Sequence, residues 1–264
     1  MSIKRAAGWS GVLVCVGALC ACFGESESVR IALMAEAPAK AVEEPDVVRE
    51  TNIDRFLAPD SPLKSGQTIV FFGDSITEAG GYIRILRDRL KAERQDLDVK
   101  LVNRGHSGYR VPMIQPLLQK EVLDMDPALV VIYIGINDVW HSTSGRGTPK
   151  DEFEAGLRDM ITRSHDAGVK VVLCSPSIIG EMPRGSNPLD AMLDEYAGIS
   201  KRVAEETGAT FCDLRAAFFA YLSEHKTDRS DRGVLTNDGV HMLPAGDALL
   251  IETMAGAMRA AMGG

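Results

Sequence analysis

The chain has 264 residues, 45% hydrophobic and 25% charged, an ordinary globular composition with length for one sizeable core and an appendage. Its net charge of −8, with no run of Lys or Arg, speaks against a nucleic-acid-binding surface. Three of the five cysteines, Cys15, Cys20 and Cys22, lie close to the start, and no Cys/His spacing resembles a zinc site, so no metal is expected.

Lys4 and Arg5 precede an uncharged, apolar and small-residue stretch that ends at Gly24, before the first acid, Glu25. A basic start followed by a short apolar segment describes an export signal over residues 1–24, too short and too rich in Ala and Gly for a membrane span. Leu19-Cys20-Ala21-Cys22 also resembles a bacterial lipobox, so the signal is either cleaved or leaves a lipid anchor at Cys22, an uncleaved N-terminal anchor being the lesser alternative. The protein is therefore expected outside the cytoplasm: periplasmic, extracellular or held at a membrane surface. Residues 25–66 carry Pro38, Pro45, Pro59 and Pro62 among Glu and Ala without sustained periodicity. They read as a tether or an N-terminal arm, with room for a short helix between residues 46 and 57.

From residue 67 to 264 strands alternate with helices, the pattern of one domain built on a parallel sheet covered on both faces. Thr68 to Phe72 is β-branched and aromatic without alternation, the mark of a strand buried on both sides, and it stops at Gly73-Asp74-Ser75. Tyr82, Leu86 and Leu90 space a helix over 81–94. A second strand follows at 99–103 and a helix at 112–123. The run 128–136 is the longest apolar strand candidate and is expected at the sheet's centre. Thr148-Pro149-Lys150-Asp151 predicts a capped helix start, with Phe153, Leu157, Met160 and Ile161 as its buried stripe and Gly168 as its stop. Further strands are expected at 169–174 and 210–214. Helices are expected from Asn187-Pro188, at 215–224 and at 244–262. Cys174 and Cys212 fall in the last two strands as small inert hydrophobes, with a disulfide open to them if those strands are neighbours.

Ligands of open α/β sheets bind at the carboxyl ends of the strands, and each such end here carries polar residues. Ser75 follows the first strand, Asn103-Arg104-Gly105-His106-Ser107-Gly108 the second, and Gly135-Ile136-Asn137-Asp138 the third, while Asp238-Gly239-Val240-His241 precedes the last helix. A serine hydroxyl is a poor nucleophile without a base, and the base needs an orienting carboxylate. His241 and Asp238, three residues apart in one loop, supply both. Asn137 and the N–H groups of Gly108 and Ser75 supply donors for an oxyanion.

The four blocks, in this order, resemble those of the SGNH hydrolases, the GDSL esterase/lipase family, over 67–264. Ile76-Thr77 departs from the eponymous Leu, and the rival elbow G-x-S-x-G is absent from the chain. The resemblance implies a flavodoxin-like three-layer α/β/α sandwich on a central, mostly five-stranded parallel sheet, and ester hydrolysis through an acyl-serine without a cofactor. It implies Ser75 as nucleophile, Asp238 and His241 as its partners, and Ser75, Gly108 and Asn137 as the oxyanion hole. Asp74, Tyr109, Trp140, His141 and Ile178 are candidate pocket residues, although capping the helix or bracing the loop is the favoured role for Asp74. Residues 177–184 are expected to form one pocket wall and to govern selectivity. The expected substrate is a small-molecule or carbohydrate ester, first among them short acetyl esters on carbohydrate. A lipid or aryl ester, a lysophospholipid or a thioester on the same site is the alternative. A catalytically silent carbohydrate-binding module is the alternative of another class.

Overall fold

The computed structural model describes residues 50–264; the export signal, Cys22 and most of the tether lie outside the described residues. Helix α1 (Asn52–Leu57) opens with a capping box, the Thr51 hydroxyl accepting from the Asp54 N–H and the Asp54 carboxylate from the Thr51 N–H. Strand β1 (Thr68–Gly73) leads into α2 (Ser75–Ala79) and α3 (Gly81–Glu93). Strand β2 (Lys100–Gly105) is followed by two short helices, α4 (Val111–Ile114) and α5 (Leu118–Glu121). Strand β3 (Leu129–Tyr133) precedes α6 (Ile136–Trp140) and α7 (Lys150–Asp166). Then come β4 (Lys170–Cys174), α8 (Asp190–Thr207), β5 (Thr210–Cys212), α9 (Leu214–His225) and α10 (Pro244–Met262).

All five strands are parallel, in the order β2-β1-β3-β4-β5, the flavodoxin-like arrangement that the family resemblance implies. Every residue of β3, and β1 from Ile69 to Gly73, is buried, which is why these runs are apolar without alternation. Helices α1, α3, α9 and α10 pack together on one side of the sheet, and α4, α7 and α8 on the other. The chain leaves β1 toward β2 and returns to β3 on β1's other side, so the crevice beyond the ends of β1 and β3 is the fold's switch point. Ser75 and Asn137 both stand there.

Local departures from expectation have physical causes. The helix expected over 112–123 is broken into α4, a 3₁₀ turn at Gln115–Leu117 and α5, because Pro116 has no N–H to continue the ladder. Strand β3 ends at Tyr133 rather than at 136, and Ile136 already begins α6. Strand β2 continues through Gly105, so Asn103 lies inside it. Thr148 does not cap α7; Pro149 holds that position without a side-chain bond, and the buried Thr148 hydroxyl instead meets Arg110 and Asp138. Cys174 and Cys212 face each other across β4 and β5 as free, buried thiols. Burial and the neighbouring Cys212 sulfur push the Cys174 thiol's pKa up, in keeping with an inert pair.

Candidate active site

Ser75 is the first residue of α2, and the helix is capped by the residue before it. The buried Asp74 carboxylate accepts the Ile76 N–H at 3.0 Å through Oδ1. Helix α2 then lies directly on β2: a Cβ on Gly105 would come within 2.0 Å of the Glu78 backbone nitrogen, so only glycine admits this approach. Asn103 ties the same corner, its Nδ2 donating to the Thr77 carbonyl at 2.6 Å and its Oδ1 accepting from the Gly105 N–H at 2.9 Å. The nucleophile candidate is thus fixed by a cap, a close contact and a side-chain brace, all within or beside its own turn.

The sheet brings Ser75 together with residues more than 160 positions away. Ser75 Oγ lies 2.9 Å from His241 Nε2, and His241 Nδ1 lies 2.7 Å from Asp238 Oδ2. The other Asp238 oxygen accepts the N–H groups of His241 and Val240 at 2.8 and 3.0 Å. Partial burial would raise the Asp238 pKa, but the bonds from the His241 backbone and ring and from Val240 outweigh it and hold the carboxyl below its usual value. It is therefore an anion facing the imidazole at neutral pH, the state needed to fix the tautomer that leaves Nε2 free to accept. Neither partner is sealed in, since the side chains of His241 and Asp238 are 37% and 42% exposed.

Gly108, in the loop after β2, and Asn137, in the first turn of α6, stand on segments that are stitched to each other. Asn137 Nδ2 donates to the Tyr109 carbonyl at 3.0 Å, using one of its two N–H groups. The next residue, Asp138, accepts the Val111 N–H at 3.1 and 3.3 Å through its two oxygens. Gly108 sits at φ +74°, a left-handed turn that side chains resist and that sets the course of this loop. His106 holds the loop from the other end, its N–H donating to the Gly73 carbonyl at 2.9 Å and its ring meeting Glu121 at 2.6 Å and stacking on Tyr109.

The pocket candidates divide. Tyr109, Trp140 and His141 are partly exposed, and the Tyr109 carbonyl accepts from Asn137; burial, with Arg146 and Arg110 nearby, pushes the His141 pKa down. Asp74 and Ile178 are not at a pocket surface: both are fully buried, the first as the α2 cap and the second in the core. Burial also raises the Asp74 pKa to about 7 and that of Asp138 to about 6. The expected pocket wall divides: Met182, Pro183 and Arg184 are half-buried or exposed and line a cavity with Phe219 and Leu222, whereas residues 177–181 are buried and turn inward.

There they hold the loop that carries Asp238 and His241. Gly180 N–H donates to the Gly239 carbonyl at 2.7 Å, and Glu181 N–H to the Asp231 carbonyl at 2.8 Å. The Glu181 carboxylate accepts from the N–H groups of Val234, Leu235 and Thr236. Sequence inspection missed this residue; the one available signal was a lone acid in an otherwise uncharged segment, Ser175 to Pro183. Arg215 was also missed. It is buried beneath the same segment and donates to the Ser177 carbonyl at 2.9 Å and to Asp190 at 3.0 Å. Among the described residues no group of three or more His, Cys, Asp or Glu side chains is placed to hold a metal ion.

A hydroxyl, an imidazole and a carboxylate bonded in series at the carboxyl edge of a parallel sheet define a serine hydrolase. Residues 71–249 match the GDSL-like Lipase/Acylhydrolase family, and the chain belongs to it. Among curated relatives, it is 30% identical to an acetylxylan esterase of Geobacillus stearothermophilus over 59% of this chain and 80% of that one. It is 28% identical to an isoamyl acetate-hydrolyzing esterase 1 homolog of Bos taurus, over 74% of this chain and 82% of that one. The crystal structure of an acetyl xylan esterase superposes with a TM-score of 0.69 and 34% identity, over 71% of this chain and 97% of the other. The protein is a carboxylic ester hydrolase, which sets aside the silent binding module.

Proposed function

We propose that the protein removes acetyl groups from carbohydrate, with Ser75, His241 and Asp238 as its reacting set. The observation that carries the mechanism is the unbroken series from Ser75 Oγ through His241 to Asp238, at 2.9 and 2.7 Å. Ser75 Oγ attacks the ester carbonyl while its proton passes to His241 Nε2. The resulting oxyanion is met by the N–H groups of Ser75 and Gly108 and by the Asn137 amide. Collapse breaks the ester C–O bond, and the imidazolium returns its proton to the leaving alcohol. Water, deprotonated by His241, then releases acetate from the acyl-serine.

The acetyl preference draws support from the names of the two relatives, both of which specify acetyl esters. The carbohydrate preference draws support from the acetylxylan esterases among the relatives and solved structures. It also suits the half-exposed Asp238–His241 edge, which leaves room for an alcohol too large and polar to be enclosed. The test sets acetylated xylo-oligosaccharides, isoamyl acetate, long-chain aryl esters, lysophospholipids and acyl-thioesters against one preparation. The highest kcat/KM is expected on the acetylated sugar; a higher value on lysophospholipid or thioester would overturn the substrate. A fluorophosphonate is expected to label the wild type and not Ser75→Ala, and labelling of that variant would remove Ser75 from its role.

We also propose export by residues 1–24, on the basic start at Lys4 and Arg5 and the small-residue end of the apolar stretch. Intact-mass measurement of envelope and medium fractions separates simple cleavage from lipid attachment at Cys22, and an unprocessed chain in the cytoplasm would overturn export.

A further inference from the structure

The loop that carries Asp238 and His241 has little regular structure of its own. Its backbone is tied by one isolated antiparallel bridge, Thr236 to Met242, and by the Asn237 N–H donating to the His241 carbonyl at 2.9 Å. Beneath its entry lies the Glu181 side chain, only 1% exposed. Its Oε1 accepts from Leu235 N–H at 2.7 Å, Thr236 N–H at 2.6 Å and the Thr236 hydroxyl at 2.8 Å. Its Oε2 accepts from Val234 N–H at 2.9 Å and faces the Lys226 ammonium at 3.5 Å. Those bonds outweigh the burial that would raise its pKa and hold the carboxyl below its usual value.

We infer that Glu181 is a positioning residue for the reacting set: its buried carboxylate fixes residues 234–236 so that His241 reaches both Ser75 and Asp238, a role that presupposes Ser75, His241 and Asp238 as that set. Every group facing the carboxylate is a donor: three backbone N–H groups, a hydroxyl and an ammonium. Both oxygens must therefore accept, and a carboxamide, whose NH₂ only donates, would set donor against donor at one end. Only Asn237 separates Thr236 from Asp238, so a shift of this segment passes directly into the Asp238–His241 turn. The same backbone is gripped from Gly180, whose N–H bonds the Gly239 carbonyl at 2.7 Å. The β4–α8 connection thus acts as the mould of the histidine loop. A misplacement of about 1 Å at a reacting group costs on the order of a hundredfold in rate.

The test measures kcat and KM on an acetyl ester for wild type, Glu181→Gln, Glu181→Asp and Thr236→Val, each per fluorophosphonate-reactive site, with Ser75→Ala as control. Expected are a fall in kcat of about a hundredfold for Glu181→Gln with KM within about twofold, and a partial return in Glu181→Asp, which restores the charge. Thr236→Val, which deletes one donor at nearly the same side-chain volume, is expected to lose several-fold in kcat. The downfield proton resonance of the His241 Nδ1–H bonded to Asp238 should weaken or vanish in Glu181→Gln. If Glu181→Gln does not fold, Thr236→Val decides: wild-type kcat and an unchanged resonance overturn the inference. An inactive Ser75→Ala beside folded Glu181 variants of wild-type kcat also overturns the role of Glu181 alone. An active Ser75→Ala overturns the reacting set itself.

Discussion

The two halves of the proposed reacting set are held by opposite means. Ser75 is fixed locally: Asp74 caps its helix, Gly105 lets that helix settle on β2, and Asn103 braces the join. His241 and Asp238 stand in a loop whose order comes from Glu181 and Gly180, more than fifty positions earlier in the chain. A nucleophile on a tight strand-to-helix turn inherits the sheet's rigidity, whereas a base on a long loop has to be given rigidity from outside. Damage to the first should therefore register as lost folding stability, and damage to the second as lost rate in a folded enzyme.

The sharpest contrast comes from Asp238→Asn. The carboxamide cannot hold the His241 tautomer, so kcat should fall by about 10³-fold, the exposure of the carboxylate keeping the loss below that of a sealed triad, with little change in the unfolding midpoint. Steady-state kinetics beside urea denaturation checks it; a large stability loss would erase the distinction. Gly105→Ala should do the reverse. Its Cβ would overlap the Glu78 backbone nitrogen at 2.0 Å, and with rigid backbone on both sides the expected cost is about 2 kcal/mol or more of stability. A midpoint equal to wild type would show that α2 is less tightly seated than described.

The third effect is a matter of pH and is spread over several units. Burial raises the Asp74 pKa to about 7, against about 3.9 in an unfolded chain. Between those values the folded protein keeps a proton that the unfolded chain has released, so this group's contribution to stability falls as pH rises from about 4 to about 7. Asp74→Asn keeps the Oδ1 acceptor for Ile76 and removes the titration. Relative to that variant, wild type should lose up to about 1.4 kcal/mol per pH unit across that window. Parallel stability curves for the two proteins would mean that Asp74 does not titrate there.

The same contrast explains what could be read from the chain. Strands β1 and β3 announce themselves because burial on both faces demands unbroken apolar runs, and polar residues at their ends mark the edge where chemistry is done. The bonded pair of Asp238 and His241 was legible because its two side chains fall within one short stretch. Glu181 was not, because its partners are mainly backbone N–H groups, which leave no trace in residue identity. Ile178 and Asp74 were misplaced for a related reason: proximity along the chain to a strand end says nothing about which way a side chain turns. The break at Pro116 was legible in principle, since a proline inside an expected helix interrupts its ladder.

Helix α1 carries a practical consequence. It lies ahead of the residues that match the family, yet Ile53, Phe56 and Leu57 are buried and the Glu252 carboxylate of α10 takes the N–H groups of Asn52 and Ile53 at 2.6 and 3.3 Å. Trimming the protein to begin at Gln67 would uncover an oily socket along α10 and strand a carboxylate beside it. A soluble enzyme for crystallisation or assay is best cut ahead of Thr51, so that the socket keeps its own plug.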